Sequence, residues 1–437
     1  MSEIPEDNGQ LSDHEKLFGV IIQDGEKYGI PHNFDATGFD NFLKWGKDRK
    51  VSDFSVRSND YIRGYVGGGW RILSERTVEH DEVDAIIRQI DTATSTADLL
   101  KGKDIDRAYR PKDMITKIVH RFRINMTGIK SPVSDSEAYA IIARMLPEMP
   151  PTTEQLGIEP ELVAAFHKSN SISLITGGTG SGKSTLIYAF IRHFIESGKT
   201  QQTGLHILDY SKPIEYVIND IESQSFLSQS EVGSMLRDFD SSLESAQWQY
   251  AVRNAMRRKP DVIVVGETRD KPTFDAVLTA ANTGHDTITT LHNNSCASSL
   301  QRGLRFYAYE ERLGVGTDLV GYLNCIINQQ LVNGTDKRKK FALREFIVMN
   351  DYVRNSLLSV PDVEKWPRLL QDIILDNSDK PVGKRKVFCR SKVDHAKERY
   401  NAGEISLETL EAIRAQTIGM ESSLNNIGDQ EAVDTTP

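Results

Sequence analysis

The chain has 437 residues and a formal net charge of −9, from 53 Lys and Arg against 62 Asp and Glu. That length exceeds one ordinary core and implies two domains with tails. No apolar run approaches the roughly 20 residues that a bilayer crossing needs, and an acidic chain is a poor general binder of nucleic acid. The segment Met1–Gln10 is acidic and polar and does not read as a signal peptide. The only three cysteines, Cys296, Cys325 and Cys389, are spaced too widely for a metal pair or a disulfide framework. They read as buried free thiols of a cytoplasmic protein.

In chain order, residues 1–13 are expected to form a disordered tail. A first folded region is expected over 14–147. Within it Asp53–Arg57, Tyr61–Val66 and Trp70–Leu73 predict strands, the last two joined by a turn at Gly67–Gly69. Glu82–Ile90 and Pro111–Val119 predict helices, and Arg121–Asn125 predicts a strand with one polar face. Pro147, Pro150 and Pro151 exclude regular structure, which makes 148–159 the linker. Over 160–360 the short β-rich runs Ile172–Thr176, Leu205–Asp209, Val262–Val265 and Thr287–Thr290 alternate mostly with helical stretches. That is the α/β pattern of a parallel sheet covered by helices. Residues 361–420 read as a helical appendage containing Glu364–Leu375, with Pro367 in its first turn, and Ser406–Thr417. Residues 421–437 are expected to be a second disordered tail. The basic runs Lys337–Lys340 and Lys384–Lys386 read as solvated loops; contact with an acidic partner or anionic lipid is the sharper alternative.

Gly177-Gly178-Thr179-Gly180-Ser181-Gly182-Lys183-Ser184 fits G-x-x-x-x-G-K-[ST] at every fixed position. Glycines let consecutive N–H groups turn toward phosphate oxygens, Lys183 adds a cation, and Ser184 Oγ can ligand Mg²⁺. The helix that follows directs its positive end at the same phosphates. The apolar strand leading in and the amphipathic helix leading out argue against a chance glycine-rich turn. The reading is an Mg-ATP site whose cofactor-binding residues are Gly178, Thr179, Gly180, Ser181, Gly182, Lys183, Ser184 and Thr185.

Asp261–Val265 is an apolar strand running into Gly266-Glu267-Thr268-Arg269-Asp270. A carboxylate at such a strand end can hold the metal or orient the attacking water, and Glu267 follows the strand directly. A solvated strand end is the bland alternative. Arg269 and Asp270 are expected to pair with one another. His285 and His292 bracket another strand, and either could reach the nucleotide, although a lone histidine is more often structural.

These residues resemble the secretion and pilus-retraction ATPases. Ala251–Asp270, AVRNAMRRKPDVIVVGETRD, looks like that family's arginine-rich helix and acidic-ended strand. Gly284-His285 and Thr290-Leu291-His292 resemble its histidine box, and Pro213–Tyr216 the end of its acidic box. Val51–Asp53 and Arg121–Asn125 resemble parts of its N-terminal domain, and Arg344–Val348 and Val353–Asn355 parts of its C-terminal region. Lys101–Asp106, Glu311–Gly314 and Arg257–Pro260 are similar to the type IVB secretion branch, the Dot/Icm kind, and equally to conjugative-plasmid transfer ATPases. The resemblance covers about 40–400.

It implies a PAS-like α+β N-terminal domain, a RecA-like P-loop domain with a helical C-terminal appendage, and a homo-hexameric ring with ATP between the two domains. It places catalysis on Glu267 and Lys183, puts His292 near the γ-phosphate, and adds Glu215 to the nucleotide-binding residues. It brings Arg121, Arg123 and Arg144 to the phosphates, a task that suits a planar, permanently charged fork. The implied partner is an inner-membrane secretion or conjugation complex that holds a cytoplasmic protein peripherally at the membrane, with no stable nucleic acid. One departure is visible: Ser211 and Lys212 stand where the family's acidic box carries acidic residues, so Asp209 is not expected to ligand the metal. The alternatives are a pilus-retraction motor, a RecA-like nucleic-acid motor, or a regulatory nucleotide-binding subunit without turnover.

Overall fold

The computed structural model describes residues 26–430 except 67–68, 112–120, 147–148, 199–202, 219–220, 234, 236–242, 337–338, 379 and 382–383; within 420–430 it describes the backbone alone. The expected tail at 1–13, the helix expected after Pro111, Gly67–Gly68 of the expected turn, and Pro147 therefore lie outside the described residues. The chain forms two compact units, Met1–Glu148 and Met149–Pro437.

In the first unit, β1 (Asp53–Arg57), β2 (Asp60–Val66), β3 (Gly69–Val78), β4 (Ile105–Tyr109), β5 (Arg121–Lys130) and β6 (Glu137–Leu146) form one sheet in the order β3-β2-β1-β6-β5-β4. All neighbours are antiparallel. Helices Ala36–Asp48 and His80–Ile90 cover one face. Each begins at a capping residue: Asp35 accepts from Gly38 N at 3.0 Å, and Glu79 and Glu82 form a capping box. Strand alternation decides which side chains meet those helices. Phe122, Ile124 and Met126 of β5 pack with Phe39, Phe42, Ile86 and Ile87, each fully buried. Arg121, Arg123 and Asn125 fall on the other face. This is the PAS-like α+β domain.

In the second unit, β7 (Ser171–Thr176), β8 (His206–Ser211), β9 (Phe226–Glu231), β10 (Val262–Val265), β11 (Asp286–Leu291), β12 (Leu323–Asn333), β13 (Lys340–Val348) and β14 (Cys389–Arg390) form a sheet in the order β14-β13-β12-β7-β11-β10-β8-β9. Pairing is parallel from β9 across to β12. It turns antiparallel at β13 and β14. Every residue of β7, β10 and β11 is buried, as central strands covered on both faces must be. Phe274, Leu300, Leu304 and Trp366 cover one face, and Phe166, Phe190, Ile191 and Phe194 the other. This is the RecA-like α/β domain.

The strands β12 and β13 were not expected at these bounds, because buried polar residues interrupt their apolar pattern. Each such residue is hydrogen-bonded, as burial requires. Asn324 Nδ2, for example, donates to Ala165 O at 2.8 Å, and Asn328 Nδ2 to Thr176 Oγ1 at 2.9 Å. The described part of the expected linker is held to the sheet: Glu159 pairs with Arg390 at 2.5 Å, and Arg344 donates to Leu156 O at 2.8 Å. All three cysteines are buried and free. Among the described residues, no helix is long and apolar enough to cross a membrane.

The appendage contains helices Trp366–Ser378, Lys392–Asn401 and Leu407–Gln430, the last running past the expected boundary at 420. Ala396, Ile405, Leu410 and Ile413 pack on Val332 and Leu343 of β12 and β13. His395, 2% exposed, accepts from Arg344 N through Nδ1 at 2.9 Å. Burial, together with Arg390, Arg344 and Arg399 nearby, holds its pKa down to about 2. The folded value lies below the unfolded one, so the unfolded chain takes up this proton first. The stabilisation is complete above about pH 6.5 and falls by about 1.4 kcal/mol per pH unit as the pH drops below that value. His395→Asn, which retains an acceptor but does not titrate, should give a shallower loss of stability between about pH 7 and pH 4 in denaturant titrations. Equal slopes for the two proteins would contradict a buried neutral imidazole.

Candidate functional site

The glycine-rich loop leaves the end of β7 and runs into the helix Lys183–Ser197. Its backbone uses glycine where no other residue fits. Gly177 has φ +151°, and a Cβ there would lie 2.3 Å from Gln329 O. Gly182 has φ +83°, and its Cβ would lie 2.8 Å from Gln329 Nε2. At Gly178 and Gly180 a Cβ would meet nothing within 4 Å, so the crown of the loop is open. Lys183 Nζ folds back onto it, donating to Gly177 O at 2.9 Å and Gly178 O at 3.0 Å. Burial lowers the Lys183 pKa, against the opposing pull of Glu267 and Glu215. The cation is partly stripped of water and lies within electrostatic reach of two carboxylates.

Parallel register brings the other groups to this edge. Leu291 lies opposite Thr176, and Val265 opposite Thr289, so β7, β11 and β10 end nearly level. Glu267 and His292 leave the sheet beside the loop, with His292 Nε2 3.0 Å from Glu267 Oε1. Arg269 binds the same carboxylate in a two-point pair, Nε to Oε1 at 2.6 Å and a terminal nitrogen to Oε2 at 2.6 Å. Burial would raise the Glu267 pKa; the Arg269 bond and the charges of Arg269 and Lys183 outweigh it, and the net shift is downward. Burial and the charge of Lys183 lower the His292 pKa, which favours a neutral imidazole at pH 7 beside the Glu267 carboxylate. The expected Arg269–Asp270 pair does not form. Asp270 instead caps the helix Lys271–Asn282, accepting from Thr273 N at 2.9 Å. The two histidines separate. His285 precedes β11 at the far end of that strand, its Nδ1 3.1 Å from Ala280 O.

Asp209 is fully buried and accepts from Tyr188 Oη at 2.7 Å, Ser211 Oγ at 2.6 Å and Gln229 Nε2 at 2.8 Å. Burial raises its pKa. Its oxygens are committed to the interior. Among the described residues no cluster of three His, Cys, Asp or Glu could hold a metal ion.

In the N-terminal unit Arg123 and Arg144 are direct cross-strand partners, and Asp53 lies opposite Arg144 on its other side. Arg123 pairs with Asp106 at 2.5 Å and Arg144 with Asp53 at 2.6 Å. Arg121 is buried.

A family model for the type II/IV secretion system protein matches residues 96–410. The chain belongs to that family. Among solved structures, the chain is similar to the Legionella pneumophila ATPase DotB, with a TM-score of 0.76 and 31% identity, covering 90% of this chain and 100% of that one. It is 29% identical over 290 residues to the type IV pilus retraction ATPase PilT of Pseudomonas aeruginosa, covering 66% of this chain and 76% of the relative. It is 31% identical over 242 residues to the uncharacterized protein YggR of Escherichia coli, covering 55% of this chain and 68% of the relative.

For this member of the secretion family, the motif alone did not find Arg269 as the partner of Glu267, nor Asn328 and Gln329 beneath the loop. The run of three amides Asn328-Gln329-Gln330, directly after the apolar Cys325–Ile327, is the available signal, since polar side chains buried in a strand must bond to something. The loop geometry gives a direct test. Gly177→Ala should cost about 2 kcal/mol or more, from a strained φ and a clash with Gln329, and abolish nucleotide binding. Gly178→Ala should fall within about 0.5 kcal/mol of the parent. Thermal melts and nucleotide titration of both variants check this, and equal stabilities would contradict the described packing.

Proposed function

We propose that this chain is a Mg-ATP hydrolase that works as a homo-hexameric motor for a type IVB secretion or conjugation machine. The observation that carries the reading is the convergence of Lys183, Glu267 and His292 at the level ends of β7, β10 and β11. The open crown of Gly178–Gly180 and the loop-facing Lys183 fit a polyphosphate. Residues Gly178–Thr185 hold the phosphates, Glu215 adds to the site's charge, and Ser184 would hold Mg²⁺. When bound, that ion neutralises charge on the phosphate oxygens. Lys183 exchanges its two loop carbonyls for phosphate oxygens. Glu267, ionised and held by Arg269 with His292 beside it, is a weak base in this arrangement; it acts by accepting a hydrogen bond from the attacking water and orienting it.

Arg123 and Arg144 act as phosphate contacts from the N-terminal domain, with Arg121 on the same strand as Arg123. Their present pairs do not oppose this. Exposed ion pairs are worth about 0–1 kcal/mol, less than a bidentate phosphate contact returns. The protein is cytoplasmic and held peripherally at the inner membrane by its partner complex. A pilus-retraction motor is the second reading, favoured by the PilT similarity over 66% of the chain. A nucleic-acid motor would show salt-sensitive stimulation by single-stranded DNA, which the net charge of −9 disfavours.

Glu267→Gln should retain ATP binding and lose about 10²–10⁴-fold in turnover. Lys183→Ala should weaken binding itself. Turnover by the parent should rise steeply with protein concentration, and Glu267→Gln with ATP should run as a hexamer in light scattering. Full activity in both variants would sink the assignment, and a monomer at all concentrations would sink the ring.

A further inference from the structure

The phosphate loop rests on a buried hydrogen-bond chain that lies outside its motif. Thr176 pairs with Asn328 across β7 and β12, which puts Gln329 under the loop. Gln329 Nε2 donates to Ser181 O at 2.8 Å. Gln329 also lies opposite Arg344 across β12 and β13, and its Oε1 accepts from Arg344 Nε at 2.9 Å. Arg344 is 1% exposed. Its two terminal nitrogens donate to Gly157 O at 3.2 Å and Leu156 O at 2.8 Å. A guanidinium thus spans from the underside of the phosphate loop to the segment that follows the boundary between the two units.

Three features make this chain stiff and directional. First, the cation is itself buried and its acceptors are neutral; Gln329 Oε1 lies in the interior, so losing the cation strands that amide, whereas Leu156 O and Gly157 O sit at the partly exposed end of the chain. Second, the loop has no slack against Gln329: the contacts that forbid a Cβ at Gly177 and Gly182 are both to this residue. Third, Ser181 O and Gly182 N–H belong to one peptide group. A cation donating to the Gln329 amide, which donates to Ser181 O, polarises that peptide and strengthens its N–H as a phosphate donor.

We propose that Arg344 and Gln329 are positioning residues that couple the loop's grip on nucleotide phosphate to the conformation of residues 152–158, a reading that rests on Gly177–Ser184 being the ATP site. Coupling is reciprocal: whatever fixes 152–158 tightens nucleotide binding, and nucleotide fixes 152–158.

The test uses the full chain, with ADP as the probe, in the parent, Arg344→Met, Arg344→Lys and Gln329→Met. ADP affinity is read by calorimetry, and ADP-dependent protection of 152–158 by hydrogen exchange. In the parent, ADP should slow exchange at 152–158. Arg344→Met and Gln329→Met should lose about tenfold in ADP affinity and lose that protection. Arg344→Lys keeps the charge but cannot span three acceptors, and should recover only part of each. Should Arg344→Met fail to fold, Gln329→Met, which leaves Arg344 its two carbonyl contacts, carries the test. Unchanged affinity and unchanged protection in Gln329→Met would overturn the coupling. Binding of ADP by the parent with no protection at 152–158 would overturn it while leaving the ATP site intact. No ADP binding by the parent would overturn both.

Discussion

The parallel hydrogen-bond register of β7, β11 and β10 is the constraint on which the site depends. Those strands are buried at every position, so their ladder is dry and cannot slip without moving side chains to the wrong face. Because they end nearly level, the loop at Gly177, the imidazole of His292 and the carboxylate of Glu267 emerge together. Side chains extend the ladder beyond the strands. Thr268 N donates to Thr290 O at 2.9 Å, and Thr290 Oγ1 to Gly266 O at 2.7 Å. Glu267 is thereby fixed on both sides by backbone that belongs to the core. The apolar packing above and below the sheet is what holds the polar edge to within fractions of an ångström.

Charge at that edge is balanced within the protein. Lys183 is satisfied by two loop carbonyls, Glu267 by the two-point pair with Arg269, and Asp209 by three interior donors. The difference lies in what each group would give up. Lys183 holds neutral carbonyls, which a phosphate oxygen outcompetes because a charged acceptor makes the stronger bond. Asp209 holds three donors in full burial, and its withdrawal would strand all of them. The same comparison separates an acidic residue available for chemistry from one that serves packing, although the two stand on neighbouring strands.

Much of this was legible in the sequence, and the limits have physical causes. The eight-residue loop could be read because its chemistry dictates residue type at fixed spacing, and β10 because an apolar run ended in a carboxylate. Spacing alone does not rank His285 and His292, since they flank the same strand and only the direction of pairing tells which end faces the loop; the family resemblance is what singles out His292. The partner of Arg269 is ambiguous in sequence because it has acidic neighbours on both sides, Glu267 and Asp270; in the structure helix capping claims Asp270 and Arg269 turns to Glu267. The strands β12 and β13 escaped at their true bounds because Asn324, Asn328, Gln329, Arg344 and Glu345 are buried within them. A residue-by-residue hydropathy reading counts these as exposed, whereas their hydrogen bonds make them interior.

The arginines illustrate why burial, more than charge, decides what a residue can do. Arg123 and Arg144 sit in pairs whose arginine side chains are 40% and 65% exposed. Water and salt weaken such pairs, so either guanidinium can leave its aspartate for a better acceptor at small cost. Arg344 is the opposite case. Burial lowers its pKa to about 10, which still leaves it charged at neutral pH. It cannot leave without stranding the buried amide oxygen of Gln329 and giving up two backbone carbonyls, a cost of about 1–3 kcal/mol. Exposed arginines are therefore suited to meeting a ligand that comes and goes. A buried one is suited to holding fixed the backbone that the ligand meets, and Arg344 holds two such pieces at once.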